Sequence, residues 1–212
     1  MSALRFSSLI ILFPILFGAC GRSELIRIRM LAPVTEDKKD YAIFTDTTSS
    51  SSFTPVITNK NVGGSLYFLF KSIGLGYTTI TTKMEKADKN LTEKTTLVTN
   101  FADVAFGIGE NYTFMWGAGV LTGGKWETSL EYNSETFNPK HNYLGGHSLF
   151  FVLGHHGFGF ETLLGYRTNS IKAEFEEINS LVIGKTNENF TYESNIISLK
   201  TSQVQLGIGF TF

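Results

Sequence analysis

The 212-residue sequence contains a single cysteine, Cys20, so no disulfide can form within the chain and a zinc site built on several thiolates is excluded. It is almost neutral, with 18 Lys and Arg against 19 Asp and Glu. A surface that binds nucleic acid is normally strongly basic, so the charge balance gives no reason to expect a nucleic-acid partner. After Gly21 no apolar run approaches the roughly 20 residues that a helix needs to cross a bilayer.

Aromatic residues and glycine are abundant. The chain has 19 Phe and 21 Gly but only 4 Pro, and 14% of its residues are aromatic. This combination favours strands over helices. With 42% hydrophobic and 17% charged residues, the composition is that of one folded unit rather than a disordered chain.

The first 20 residues have the layout of a secretory signal peptide. A single basic residue, Arg5, precedes an apolar run from Phe6 to Phe17, and the small residues Gly18 and Ala19 follow it. The run is about 12 residues long, too short for a membrane helix. We therefore expect residues 1–20 to be a signal peptide and residues 21–212 to form the mature domain.

Residues 16–20, Leu-Phe-Gly-Ala-Cys, resemble a bacterial lipobox. The resemblance implies that Cys20 becomes the lipidated first residue of the mature chain. Phe17 departs from the pattern, because the family usually has an aliphatic residue at that position. Ordinary signal cleavage near Cys20 is the alternative.

The C-terminal segment alternates strictly between apolar and polar or glycine residues. Its apolar positions are Val204, Leu206, Ile208, Phe210 and Phe212. This segment resembles the terminal signal of bacterial outer-membrane β-barrels, with a final Phe and another aromatic residue two positions earlier. The resemblance implies that the outer-membrane assembly machinery reads the segment, and that it pairs with the first strand to close the barrel.

The same period-two alternation recurs upstream and predicts eight antiparallel strands in an up-and-down transmembrane β-barrel. The predicted strands cover residues 25–31, 64–70, 73–83, 96–108, 112–122, 143–153, 157–168 and 202–212. Long polar loops are expected at 32–63, 84–95, 123–142 and 169–201, with tight turns at 71–72, 109–111 and 154–156. In outer-membrane barrels long loops face outward and short turns face the periplasm.

A soluble β-sandwich or lipocalin-like barrel would also alternate, but it would put its large apolar residues inside. Here the face opposite the large residues is mainly glycine, polar or charged. Five charged residues are predicted to point into the lumen, where they must pair or meet water: Arg27, Arg29, Asp103, Glu161 and Arg167. An eight-stranded barrel is filled by its own side chains, so a general diffusion pore is not expected.

No catalytic, cofactor-binding or metal site is predicted. His147-Ser148 resembles the serine and histidine that some small outer-membrane barrels use as lipid A deacylases or acyltransferases. Neighbouring residues of a strand point to opposite faces, however, so these two cannot form the catalytic pair directly. The same argument disfavours joint metal binding by His155 and His156, which are expected in a turn.

The sequence therefore predicts a barrel in the bacterial outer membrane with a structural or surface-interaction role. Its expected partners are outer-membrane lipid and the assembly machinery, and the ligand of its loops is not indicated. The alternatives are a lipid-modifying hydrolase and an acylated lipoprotein with a soluble β fold. An arginine at Phe160, on the expected lipid face, should impair insertion.

Overall fold

The computed structural model describes residues 26–34, 56–88, 91–132, 135–138, 140–157, 159–175, 181–182, 189–190 and 196–212. The predicted signal peptide and Cys20 lie outside these residues. The strands are β1 (Ile26–Pro33), β2 (Val56–Phe70), β3 (Ile73–Asp88), β4 (Leu91–Gly109), β5 (Tyr112–Tyr132), β6 (Glu135–Phe137), β7 (His141–Gly157), β8 (Phe160–Phe175), β9 (Leu181–Val182), β10 (Asn189–Phe190) and β11 (Ile196–Thr211). Within the described ranges no helix is long and apolar enough to span a membrane.

Eight strands form a closed antiparallel barrel in the order β1-β2-β3-β4-β5-β7-β8-β11. Each strand pairs with its neighbours in the chain, and β11 pairs with β1 from Arg27 opposite Thr211 to Pro33 opposite Gln205. The predicted fold class is confirmed, and the last strand closes the barrel against the first. The short strand β6 pairs antiparallel with the end of β5, while β9 and β10 form a separate pair.

Tight turns connect the strands at one end, which we call the lower rim. Lys71 has φ 54° between β2 and β3, and Gly109 has φ 102° at the end of β4. The turn predicted at 154–156 is wrong, because β7 continues to Gly157 and β8 begins at Phe160. His155 and His156 pair with Thr162 and Glu161 in the β7–β8 ladder. The hydrogen-bonded strands therefore extend beyond the residues whose apolar alternation predicted them.

The strands also extend beyond the prediction at the opposite end. Strands β3 and β4 pair as far as Asp88 and Leu91, so the loop expected at 84–95 is wrong. The loops expected at 32–63, 123–142 and 169–201 are likewise shortened by β2, β5, β7, β8 and β11. The outward residues of these extensions are mostly polar, with Val62 and Ile196 as exposed apolar exceptions, and this polarity is why the sequence predicted loops there.

We call the part of the barrel far from the lower rim, which includes these extensions, the upper barrel. It comprises residues 56–62, 79–88, 91–100, 122–132, 141–147, 168–175 and 196–203. Its wall contains an irregularity between Asn100 and Phe101, where the register with β5 shifts. The β5–β7 ladder ends at Val120 opposite His147, and above it β5 pairs with β4 and with β6.

Two clusters of buried apolar side chains fill the lumen. The lower cluster consists of Leu31, Tyr67, Leu69, Ala105, Met115, Phe150, Val152 and Leu163. The upper cluster consists of Met84, Leu97, Phe101, Trp126, Ile171, Ala173, Phe175 and Leu199. The interior is therefore richer in large apolar residues than the sequence suggested.

Candidate functional site

The five charged residues expected in the lumen all lie there and are buried. Arg29, Glu161 and Arg167 are 0% exposed, Asp103 is 2% exposed and Arg27 is 8% exposed. Unpaired charges in such surroundings would cost several kcal/mol each, about 3 to 5 when one partner of a pair is removed. Their geometry shows how this cost is offset.

Arg29 and Glu161 form the lower ion pair. Arg29 Nε donates to Glu161 Oε2 at 2.7 Å, and Arg29 Nη2 donates to Glu161 Oε1 at 2.9 Å and to the Thr113 hydroxyl at 2.8 Å. The two residues stand on β1 and β8, on either side of Gly209 of β11. A Cβ at Gly209 would lie 2.7 Å from Glu161 Oε2, so the glycine makes room for the pair.

Arg167 forms the upper ion pair with Asp103 across the barrel. Its Nη1 donates to Asp103 Oδ2 and its Nη2 to Asp103 Oδ1, both at 2.9 Å. This two-point geometry is the strongest arrangement between a guanidinium and a carboxylate. Because both side chains are completely buried, solvent does not screen their attraction.

Neutral side chains form further hydrogen bonds with the same ion pair. Arg167 Nη2 donates to Ser148 at 2.5 Å, Nε donates to Asn169 Oδ1 at 3.1 Å, and Nη1 contacts Thr78 at 3.0 Å. The Thr78 hydroxyl donates in turn to Asp103 Oδ2 at 2.6 Å. Arg167 and Asp103 therefore have the additional hydrogen bonds that a buried pair requires.

Two aromatic rings, one from each apolar cluster, contact the guanidinium of Arg167. Its central carbon lies 4.8 Å from the ring centroid of Phe101 and 5.4 Å from that of Phe150. Phe101 belongs to the upper apolar cluster and Phe150 to the lower one. The polar layer around Arg167 thus separates the upper apolar cluster from the lower one.

Arg27 lies closer to the lower rim. Its Nη2 donates to the backbone carbonyl of Gly109 at 2.9 Å. That carbonyl belongs to the β4–β5 turn, so Arg27 ties β1 to a turn on the other side of the lumen. Taken together, the described lumen is a stack of polar and apolar layers rather than an open channel.

The outer wall next to the lower rim is almost entirely apolar. The Leu75 side chain is 68% exposed and Leu206 is 52% exposed, although both residues lie in paired strands. We call this surface the outer apolar band. Its large exposed members are Ile26, Met30, Leu66, Phe68, Phe70, Ile73, Leu75, Tyr77, Val104, Tyr112, Val120, Leu149, Phe151, Leu153, Phe160, Leu164, Tyr166, Leu206, Ile208, Phe210 and Phe212.

The barrel-closing residues contribute to this band. Leu206, Ile208, Phe210 and Phe212 are exposed on the outer wall, and Val204 is half-buried at the same face. Phe210 pairs with Ile28 of β1 on one side and Phe160 of β8 on the other. The C-terminal alternation therefore continues the band across the closure of the barrel.

His147 and Ser148 lie on opposite faces of the wall. Ser148 is buried against Arg167, whereas His147 is exposed beside a shallow groove of about 480 Å³ that also contacts Tyr166 and Lys200. They do not form a nucleophile–base pair. In the described part of the chain no three His, Cys, Asp or Glu residues are grouped so that they could hold a metal ion.

The partners of Arg167 were not identified from the sequence. Thr78, Ser148 and Asn169 stand at inward positions of three different strands. The alternation predicts that these three side chains point inward. It does not predict that they lie at one height, because that depends on the register of the strands in the closed barrel. The sequence therefore indicated the charges but not their surroundings.

No protein-family profile matches the chain, and no curated protein matches its sequence. Among solved structures, the chain is similar to Neisserial surface protein A, with 12% identity, a TM-score of 0.39, and coverage of 88% of this chain and 96% of that one. It is also similar to the outer membrane protein OprG from Pseudomonas aeruginosa, with 10% identity, a TM-score of 0.38, and coverage of 91% and 98% respectively. The assignment of the fold rests on the strand pairing of this chain.

Proposed function

We propose that this chain is an outer-membrane β-barrel that crosses the bilayer with its eight strands and projects the upper barrel from the cell surface. The observation that carries the proposal is the outer apolar band, which surrounds the closed barrel at one height. Soluble monomers rarely expose contiguous apolar patches larger than a few hundred Å². Lipid chains are the solvent that such a wall requires.

The height of the band fits a membrane. On β11 the apolar outward positions run from Val204 to Phe212, and the corresponding span on β7 and β8 ends at Leu149 and Tyr166. Nine residues rising about 3.3 Å each along a strand tilted by about 40° cover roughly 23 Å. Outer-membrane barrels have an apolar band of about 25 Å.

The two ends of the barrel differ in a way that supports an orientation. Ile26 and Phe212 exchange backbone hydrogen bonds of 3.2 and 2.9 Å at the lower rim, beside the tight turns. Aromatic side chains gather there, including Phe70, Tyr112 and Phe160. Aromatic girdles occur at both membrane interfaces, but short turns are typical of the periplasmic side, so the upper barrel would face outward.

The N-terminal and C-terminal signals belong to the same proposal. Residues 1–20 would direct export, and the alternation from Val204 to Phe212 would be read by the assembly machinery. A structural or surface-interaction role is supported by the layered lumen, since large apolar side chains fill it above and below the Arg167 layer. That arrangement disfavours free diffusion of solutes through the barrel.

The test places one arginine inside the band and one above it. Leu164 and Ser170 are both outward residues of β8, separated by six positions. An arginine at the middle of the bilayer costs about 2 to 4 kcal/mol, and the cost falls to about 0 to 1 near the interface. Leu164→Arg should therefore reduce folding into lipid vesicles, and Ser170→Arg should not.

The measurement is electrophoretic mobility of boiled and unboiled samples after folding into vesicles, because a closed barrel migrates differently until heat opens it. Phe160 is a weaker test position than the sequence suggested, since it begins β8 at the lower rim. Equal folding of Leu164→Arg and Ser170→Arg, or a wild-type chain that folds without lipid or detergent, would overturn the membrane proposal.

A further inference from the structure

The wall of the upper barrel is interrupted between β5 and β7. The β5–β7 ladder ends at Val120 opposite His147, and above that height β5 pairs with β4 on one side. On its other side β5 pairs again only near its end, where β6 joins it from Leu130 to Tyr132. Between these two points no strand of the described chain pairs with the edge of β5 that faces β7. Such an edge can accept a further strand.

The interruption has two defined ends, and we call the part between them the β5–β7 gap. Its lower end is closed by Leu144 of β7, whose Cδ2 atom lies 3.1 Å from the position that a Cβ on Gly124 would occupy. Its upper end is the pair formed by Leu130 and Phe137, where β6 meets β5. The β5–β7 gap therefore runs along residues 125–129 of β5, about 16 Å of extended strand.

Strand β6 shows that this edge of β5 accepts a strand. Its three residues, Glu135–Phe137, pair antiparallel with the end of β5 directly above the gap. On the opposite edge, residues 125–129 remain paired with β4, from Lys125 opposite Val98 to Ser129 opposite Lys94. The backbone of β5 is therefore extended throughout the gap, and a peptide bound there would lie in line with β6.

A pocket of about 600 Å³ lies at the β5–β7 gap, and its surplus charge is positive. Lysines from three segments line it: Lys94 of β4, Lys125 of β5 and Lys140 just before β7. Among the described residues that line the pocket, the acidic one is Glu127, which contacts Lys125. The volume is within the range of about 300 to 1,000 Å³ found for ligand sites. The excess of lysine favours an acidic ligand.

The inward side chains at the gap belong to the barrel interior. Trp126 packs edge-on against Phe175, and its indole N–H donates to the Thr128 hydroxyl at 3.2 Å. Thr128 also shares a hydrogen bond of 2.9 Å with Thr95. A ligand in the gap would therefore meet the backbone edge of β5 and the outward lysines. That combination suits an extended peptide better than a compact anion.

We infer that the β5–β7 gap binds an extended acidic segment of another protein, which adds to β5 as a strand. Main-chain hydrogen bonds supply the affinity in this mode of recognition, and the lysines select for carboxylates. Side chains of an added strand alternate between the two faces, so acidic residues would lie beside Lys125 and apolar ones beside Trp126. The inference deepens the proposed surface-interaction role and rests on the proposed orientation, in which the upper barrel faces outward.

The test measures binding of a fluorescent peptide to the full chain folded in detergent. The probe is a peptide of three Val-Glu repeats with blocked ends, and binding is followed by fluorescence anisotropy at low salt. One control peptide carries a methyl group on every backbone nitrogen, so it keeps its charge but cannot donate to a strand. A second control replaces each Glu by Lys.

Two pairs of substitutions test the pocket. Lys94→Gln with Lys140→Gln removes two lysines that line the pocket. The matched control, Lys60→Gln with Lys83→Gln, removes two exposed lysines of the upper barrel that face each other on β2 and β3, outside the pocket.

The acidic peptide should bind the wild-type chain at least about tenfold more tightly than either control peptide, because backbone hydrogen bonds or charge complementarity are lost in the controls. The pocket pair should weaken binding by about fivefold, as expected for exposed ion pairs of modest strength. The control pair should change it by less than about twofold. Equal binding of the methylated peptide, or equal losses in both lysine pairs, would overturn the inference.

Hydrogen exchange locates the bound peptide. Amides of residues 125–129 that exchange rapidly in the peptide-free chain should slow by about tenfold when the peptide binds, because they become part of a ladder. Protection elsewhere on the barrel would overturn the inference. Slow exchange of all these amides before the peptide is added would also overturn it, because another segment of the chain or a second copy would then already fill the gap.

The same samples separate this inference from the membrane proposal. A normal heat-dependent mobility shift together with no binding of the acidic peptide rejects the β5–β7 gap as a binding site and leaves the membrane proposal intact. A wild-type chain that folds without lipid or detergent rejects the membrane proposal even if the peptide binds.

Discussion

The lower and upper parts of the barrel use the same strands with opposite polarity. Along β8, Leu164 and Tyr166 face outward near the lower rim, whereas Ile171 and Phe175 face inward in the upper barrel. The backbone alternation does not change between these segments; the apolar residues move from even-numbered, outward positions to odd-numbered, inward positions. One continuous strand can therefore meet lipid along one part and water along the next.

The interior shows the complementary difference. At the height of the band, glycine and charged residues occupy much of the lumen, and the Arg29–Glu161 and Arg167–Asp103 pairs lie there. In the upper barrel, Leu97, Trp126 and Leu199 form an apolar core like that of a soluble barrel. The wall that carries the outer apolar band thus surrounds ion pairs and glycine together with the lower apolar cluster, whereas the upper wall, whose outward residues are mostly polar, surrounds an apolar core.

The largest effect should come from breaking the polar layer at the height of the band. Arg167→Met leaves Asp103 buried without its partner, so it should reduce the free energy of unfolding by about 3 to 5 kcal/mol. Adding Asp103→Leu should restore much of that loss, because the uncompensated charge is removed. Urea unfolding in lipid vesicles measures both variants, and a double variant no more stable than Arg167→Met would contradict this account.

The apolar core of the upper barrel should be the next most sensitive region. Leu97 is 1% exposed inside the lumen, and Leu97→Ala should cost about 2 to 5 kcal/mol by leaving a cavity. Leu206→Ala on the outer band should cost less, since lipid can fill the space. Hydrogen exchange should show the loss mainly in the upper barrel for Leu97→Ala; equal costs for the two variants would remove the distinction between the regions.

A smaller effect is expected where a glycine makes room for the lower ion pair. Gly209→Ala would push against Glu161 and Arg29, and overpacking of this kind typically costs about 1 to 3 kcal/mol. Gly157→Ala is the matched control, because no atom lies within 4 Å of a Cβ built there. Thermal unfolding in detergent compares them, and a control as unstable as Gly209→Ala would show that the contact with Glu161 is not the cause.

The smallest effect should follow substitution at the boundary between the two regions. Thr79 is the first outward residue of β3 beyond Tyr77. Thr79→Val should change the free energy of unfolding by no more than about 0.5 kcal/mol, as is usual for an exposed position. A loss above 1 kcal/mol in urea unfolding would place the edge of the band elsewhere.

The lower region could largely be predicted from the sequence, and the upper region could not. Outward apolar residues such as Leu206 and Phe210 identify strands when lipid is the expected solvent. In the upper barrel the outward residues include Lys83 and Glu85, so the same criterion ended the strands too early. The alternation of Ile171, Ala173 and Phe175 could have predicted that β8 continues. These apolar residues point inward, however, as in a soluble sheet, whereas the criterion required outward apolar residues.

The ion pairs could be predicted only in part. Alternation gives the inward direction of Arg29 and Glu161, but it does not say that the closing strand places both beside Gly209. Nor does it say that Arg167 on β8 reaches Asp103 on β4 across the lumen. Those contacts depend on the relative shift of the strands around the closed barrel, a property of the whole sheet rather than of any segment.

The two ion pairs also distinguish the native strand alignment from its nearest alternatives. If one strand slid by two residues, every side chain would keep its inward or outward direction, and the outer apolar band would remain apolar. A slip of β11 against β1 would, however, move Gly209 away from the Arg29–Glu161 pair, and a slip of β8 would separate Arg167 from Asp103. Contact with lipid would be the same in both alignments. A slip would, however, break an ion pair in the lumen, and the unpaired buried charge would destabilise the slipped alignment. The buried charges therefore favour the native alignment of the strands that carry or flank them, β1, β4, β8 and β11, over an alignment shifted by two residues.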